Sequence, residues 1–221
     1  MNHWQAIQTQ IASAKTSNRE VTLVAVSKKQ SLDDMMQLYA LGQRHFAESY
    51  CDEALPKITA MPNDVIWHFI GPIQSNKTAV IAQYFDVVHS VDREKIIKRL
   101  NDQRPAHMKP LQCLIQVNMD KEKQKAGVDL CNLKSLAQQL AHSKCLALKG
   151  LMIIPKRDQT QAQLIECFIK TRTVFGTLKA EYSSVDTLSM GMSNDYALAI
   201  THGSTLVRIG RALFGQRKGH L

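Results

Sequence analysis

The apolar positions of this chain fall into short runs set between longer stretches of helical spacing. Residues 21–26, Val-Thr-Leu-Val-Ala-Val, are entered from the polar Thr16-Ser17-Asn18-Arg19-Glu20 and leave through Ser27-Lys28. The run is too short for a typical helix and nearly continuous in apolar character, the pattern of a strand buried on both faces. Similar runs occupy 44–48, 65–70, 87–91, 111–117, 146–153, 185–188 and 205–209. Between them the periodicity changes. Trp4, Ile7 and Ile11 mark a helix over 3–15, and residues 32–41 read as a helix opened by Ser31 and stopped at Gly42. Further helices are predicted over 54–61, ended by Pro62, over 75–84, over 93–101 with Asp92 as cap, and over 130–141. A long one spans 159–182 with Ile165, Phe168, Ile169 and Val174 facing inward, and a short one follows Ser193.

Eight short strands alternating with helices imply a parallel sheet, and a count of eight favours closure into a barrel over an open doubly wound sheet. No low-complexity linker divides the 221 residues, a length close to the lower limit for a (β/α)8 barrel. The expectation is one α/β domain over 1–221, a single TIM barrel preceded by an N-terminal helix.

Charge and cysteine usage narrow the function classes. The net charge is +9, but the 28 Lys and Arg are scattered among 19 acids, with only a mild basic tail from Arg211 to Lys218. That distribution favours solubility and attraction of small anions over nucleic-acid binding. The five cysteines, 51, 113, 131, 145 and 167, form no C-x-x-C pair, which argues for reduced thiols in the cytosol. No secretory leader and no apolar run of membrane length is evident, so the Asn76-Lys77-Thr78 sequon carries no weight. The nine methionines form no stripe and read as packing residues.

Candidate chemistry gathers at strand ends. In parallel α/β proteins ligands bind at the C-terminal ends of strands, where Lys28 sits beside an apolar wall. Partial burial there favours a neutral, nucleophilic amine, as a Schiff-base lysine requires. After the seventh strand, Leu188-Ser189-Met190-Gly191-Met192-Ser193 makes a turn of small residues that opens a helix at Ser193, and Arg208-Ile209-Gly210-Arg211 makes a second after the eighth. Loops seven and eight of barrels frequently bind phosphate. Arg208 alternates with Val207 and Ile209, so it points to the opposite face, and a cation inside a barrel needs a carboxylate or a ligand atom as acceptor. His68, between Trp67 and Phe69, reads as a satisfied core histidine. His45 and Glu48 fall on opposite faces of one strand and make no metal pair.

These residues resemble the pyridoxal phosphate homeostasis protein family, which is alanine-racemase N-terminal-domain-like. The resemblance runs along nearly the whole chain. It rests on Ala25-Val26-Ser27-Lys28, on residues 67–77 (Trp-His-Phe-Ile-Gly-Pro-Ile-Gln-Ser-Asn-Lys), on Gly150-Leu151-Met152, on Leu188-Ser189-Met190-Gly191-Met192-Ser193, and on Val207-Arg208-Ile209-Gly210 with Phe214-Gly215. It implies a fold-type III barrel that holds pyridoxal 5′-phosphate as an internal aldimine on Lys28. Ser193, Gly210 and the backbone N–H of Arg211 are then expected around the phosphate, with Arg208 facing the pyridine nitrogen and Ser49, Ser189 and Met190 also lining the cofactor. A guanidinium can only donate, so it keeps that nitrogen unprotonated and weakens the ring as an electron sink.

The expected function is therefore a non-catalytic cytoplasmic carrier of pyridoxal phosphate. Its expected partners are the cofactor and, transiently, pyridoxal-phosphate-dependent apoenzymes, with no nucleic acid, no membrane and no metal, and with a monomeric state. Four positions depart from the family pattern. Ser49 stands where an asparagine is usual, Gln30-Ser31 where a lysine and proline are frequent, and Arg211 where a threonine or serine is common. The alternatives are a pyridoxal-phosphate-dependent amino-acid racemase, which also needs a second all-β domain bearing a tyrosine base, and a class I aldolase, which needs an acid-base carboxylate pair that is not obvious here. Lys77 and Lys125 are surface lysines with a minor capacity to capture aldehyde.

Overall fold

The computed structural model describes residues 3–15, 19–120 and 126–215. Eight parallel strands close into a barrel in sequence order. They are β1 (Thr22–Val26), β2 (His45–Glu48), β3 (Ile66–Phe69), β4 (Val87–Val91), β5 (Leu111–Gln116), β6 (Leu146–Met152), β7 (Thr187–Ser189) and β8 (Leu206–Ile209). The helices are α1 (His3–Ala14), α2 (Leu32–Ala40), α3 (Cys51–Ala60), α4 (Thr78–Tyr84), α5 (Glu94–Gln103), α6 (Leu130–Ala141), α7 (Gln161–Glu181), α8 (Tyr196–Thr201) and α9 (Arg211–Phe214). The expected single (β/α)8 barrel is what forms.

Strand alternation sorts the residues into two cores. Leu23, Ala25, Phe46, Trp67 and Phe69 turn outward and share one large buried cluster with helix residues such as Met35, Leu38 and Ile81. The opposite parity, Val24, Ala47 and Leu206, forms a small separate cluster inside the barrel. The closing seam pairs Val24 with Arg208 and Ala25 with Ile209, so residues of the same parity on β1 and β8 lie side by side.

Local signals explain most element ends. Ser31 accepts from the Asp34 amide and starts α2, and Gly42 ends it at φ +102°. Thr160 and Gln163 form a capping box at the start of α7. Several expectations are corrected. Asp92 does not cap α5; Arg93 occupies that position, and Asp92 instead pairs with the Arg93 guanidinium at 2.6 Å. The helix over 54–61 begins three residues earlier, at Cys51, and contains Pro56. Residues 75–77 form a 3₁₀ turn ahead of α4. The buried face of α7 is Cys167, Phe168, Thr171, Phe175 and Leu178, whereas Ile169 is 51% exposed and Ile165 only half-buried.

Candidate functional site

The exit of β1 is held from below by a buried polar network. Ser27 donates from its amide to the Ala47 carbonyl at 2.9 Å and from its hydroxyl to Glu48 Oε1 at 2.7 Å. Lys57 Nζ, reaching up from α3, donates to the Ser27 carbonyl at 2.9 Å and to Glu48 and Glu53 carboxylates at 2.8 Å each. Gln30 N closes a turn onto the Ser27 carbonyl at 3.0 Å. Inside that turn Lys29 adopts φ 60° and gives its amide to the Glu53 carboxylate. Lys28 thus projects, half-buried, from a backbone fixed on both sides. Glu48 is fully buried, and burial pushes its carboxyl up from the ordinary range while the Lys57 ammonium pulls it back. The sequence reading missed Lys57, Glu48 and Glu53 as supports, because nothing in linear spacing ties α3 to the end of β1.

The exits of β7 and β8 adjoin that lysine. Since Ala25 pairs with Ile209, Gly210 lies level with Val26, and a Cβ on it would sit 3.3 Å from the Val26 carbonyl. A side chain there would press on that carbonyl and require it to shift by a few tenths of an ångström. The turns after β7 and β8 are joined by the Ala212 amide, which donates to Ser193 Oγ at 3.4 Å. Gly191 is no ordinary turn residue either: φ is +98°, a Cβ would meet the Ala199 Cβ at 2.7 Å, and its carbonyl accepts from the Arg208 amide at 3.0 Å. Ser193 does not open a helix directly, for α8 starts at Tyr196, and Asp195 accepts from the Met192 amide at 2.6 Å in between. Arg211 is exposed at the first position of α9.

Arg208 is 4% exposed and its acceptors are neither of the two expected kinds. Nη1 donates to the Ser189 carbonyl at 2.9 Å and hydroxyl at 2.5 Å, and Nη2 to the Ile153 carbonyl at 2.9 Å. Burial lowers its pKa to about 10, with Asp195 pulling the other way. Ser189 is therefore inside the barrel beside Arg208. Met190, of opposite parity, buries its side chain in the outer cluster with Leu188 and offers this region only backbone. Ser49 lies at the exit of β2 with 9% exposure, against Gly71, where a Cβ would fall 2.1 Å from the Ser49 carbonyl.

Lys77 pairs with Asp52 at 2.8 Å on the surface, which raises its pKa through that hydrogen bond. Lys125 lies outside the described residues. A cavity of about 280 Å³ at the exits of β5 and β6, lined by Asp120, Lys156, Gln163 and Lys170, is remote in the barrel order from Lys28.

The site residues fit a small phosphorylated aldehyde: an amine on a fixed turn, a glycine exit and a serine hydroxyl at two neighbouring strand ends, and a buried cation without a carboxylate bonded to it. Comparison with known proteins agrees. The family model described as alanine racemase, N-terminal domain, matches residues 3–218. The pyridoxal phosphate homeostasis protein of Vibrio alginolyticus is 46% identical over 202 residues, covering 89% of this chain and 87% of that protein. Its counterpart in Escherichia coli K12 is 42% identical over 219 residues, covering 96% and 94%. The structure of PipY from Synechococcus elongatus with PLP bound superposes with a TM-score of 0.82 at 34% identity, covering 94% of this chain and 99% of that one. No described helix is long and apolar enough to cross a membrane. The chain belongs to the alanine racemase N-terminal domain family, in the branch of the pyridoxal phosphate homeostasis proteins.

Proposed function

We propose that this protein is a non-catalytic, single-domain monomer, spanning 1–221, that holds pyridoxal 5′-phosphate on Lys28 and buffers or delivers it to apoenzymes in the cytosol. The observation that carries this reading is the β1–β8 seam, which puts the Lys28 turn beside Gly210 and the joined Ser193–Ala212 loops. The cofactor brings an aldehyde that condenses with a primary amine, releasing water. Everything else is the protein's work. The Ser27–Glu48–Lys57 network presents the amine, the Ser193 hydroxyl and the Gly210–Arg211 backbone receive the phosphate, and Arg208 offers only donors to the ring nitrogen. Ser189 lies against that arginine, and Ser49 and Met190 line the same end of the barrel. A donor-only partner disfavours carbanion chemistry, in keeping with relatives named for homeostasis.

The test is cofactor titration followed by borohydride reduction and mass spectrometry. A single adduct on Lys28, yellow before reduction and lost in Lys28→Ala, is expected. A colourless wild type in excess cofactor refutes binding, and interconversion of D- and L-alanine that depends on Lys28 refutes the non-catalytic part.

A further inference from the structure

Three imidazoles on consecutive strands stand in line inside the barrel, and the binding of Lys28 uses none of them. His45 Nδ1 lies 2.9 Å from His68 Nε2, His68 Nδ1 lies 2.8 Å from His89 Nε2, and His89 Nδ1 lies 3.0 Å from Ser189 Oγ. The same hydroxyl accepts from Arg208 Nη1 at 2.5 Å. Burial pushes the pKa of His68 and of His89 well below 6.5 and lowers that of His45, which favours neutral rings along the line. A neutral imidazole has one N–H and one bare nitrogen. Every link must face one donor with one acceptor, and the tautomer of one ring therefore dictates the others.

The direction is set at the arginine. A guanidinium has no acceptor, so Ser189 Oγ accepts a hydrogen bond there and must donate its own hydroxyl hydrogen to another group. Ser189 is fully buried, and the acceptor that lies against its hydroxyl is His89 Nδ1. His89 then carries its proton on Nε2 and donates a hydrogen bond to His68 Nδ1, and His68 Nε2–H donates to His45 Nδ1. The last N–H, on His45 Nε2, belongs to a half-buried ring at the start of β2. The reverse polarity would strand a buried hydroxyl proton.

We propose that Arg208, Ser189, His89, His68 and His45 form a one-directional hydrogen-bond relay that positions the Arg208 guanidinium for the ring nitrogen of pyridoxal phosphate. The ligand half of this rests on the function proposed above; the relay itself does not. A hydroxyl that donates is a better acceptor, so each imidazole downstream strengthens the Nη1 bond. With Nη2 on the Ile153 carbonyl, the guanidinium plane is pinned at two points. His68 acts through its neighbours and is a positioning residue, not a catalytic one.

Nitrogen-15 NMR of histidine-labelled protein reads the relay directly. All three rings are expected as the Nε2–H tautomer, and an Nδ1–H signal from any of them overturns the assignment. Arg208→Met removes the obligate donor and should give mixed tautomers, whereas Arg208→Lys, still donor-only, should keep the single form. Unchanged tautomers in Arg208→Met refute the arginine as the source of direction. For positioning, His68→Leu should retain the Lys28 adduct but hold the cofactor about twofold more weakly, the loss of the cooperative fraction of one hydrogen bond, with a shifted absorption band. His68→Gln, which supplies one donor and one acceptor, should restore both. Equal retention in the Leu and Gln variants and wild type overturns the positioning role. Absence of any Lys28 adduct in wild type refutes the carrier reading and the purpose given to Arg208, while the tautomers still decide the relay.

Discussion

Acidification should destabilise this protein through its barrel histidines. His68 is 2% exposed and His89 is fully buried, and burial, the largest cause, holds both pKa values well below the ordinary 6.5. The unfolded chain binds protons at these rings near pH 6.5 and the folded chain does not, so their contribution to stability is present above that pH and lost as pH falls. Going from pH 7.5 to 5.5 protonates each unfolded ring through about one decade, about 1.4 kcal/mol per histidine and about 2.7 kcal/mol for the pair. That is a large share of the roughly 5–15 kcal/mol typical of a folded domain. Glu48, with its carboxyl pushed up by burial, acts in the opposite sense, since its contribution falls as pH rises. It cancels when wild type is compared with His68→Leu. Urea unfolding at the two pH values should show His68→Leu losing about 1.4 kcal/mol less than wild type on acidification, one imidazole having been removed. Identical losses in the two proteins would refute the claim that a neutral, buried His68 carries part of the acid sensitivity.

Two further perturbations probe the scaffold of the site. Lys57→Met leaves the Glu48 carboxylate buried without its cation and should cost about 3–5 kcal/mol in urea unfolding, while Lys57→Met with Glu48→Leu should recover most of it; a double variant as unstable as the single one would contradict this. Gly191→Ala forces an L side chain to φ +98° against Ala199 and should cost about 1–3 kcal/mol, while Gly176→Ala, in the open on α7, should gain about 0.5–1 kcal/mol; thermal melts that rank the two the other way would show the backbone reading to be wrong.

The polar network under Lys28 and the histidine line share a physical logic. Each buries ionisable groups wholly or in part and pairs them with neighbours several strands or helices away. Lys57 spends its ammonium on Ser27, Glu48 and Glu53, which fixes the turn bearing Lys28. Arg208 spends its donors on Ser189 and Ile153. Removing one member of either set leaves a buried partner stranded, so both sets are rigid by necessity.

Alternation and turn chemistry already declare the barrel: eight apolar runs, Ser31 and Gly42 bounding α2, and Lys28 at the end of β1 are local patterns that survive into the fold. Parity alone also aims Arg208 inward, and the same rule applied to His45, His68 and His89 would have placed them on one inner face. What linear spacing cannot carry is which distant groups meet. The partner of Arg208 is a serine on β7 rather than a carboxylate, and Lys57 crosses from α3 to the exit of β1. The fate of Ile169 on α7 was equally invisible, because a helix with apolar residues on several sides leaves its buried face to packing. Sequence by itself determined the elements and their facing, since those depend on neighbours within a few residues. Only closure of β1 onto β8 decided the site, because it brings together groups separated by most of the chain and thereby sets their burial and hydrogen bonds.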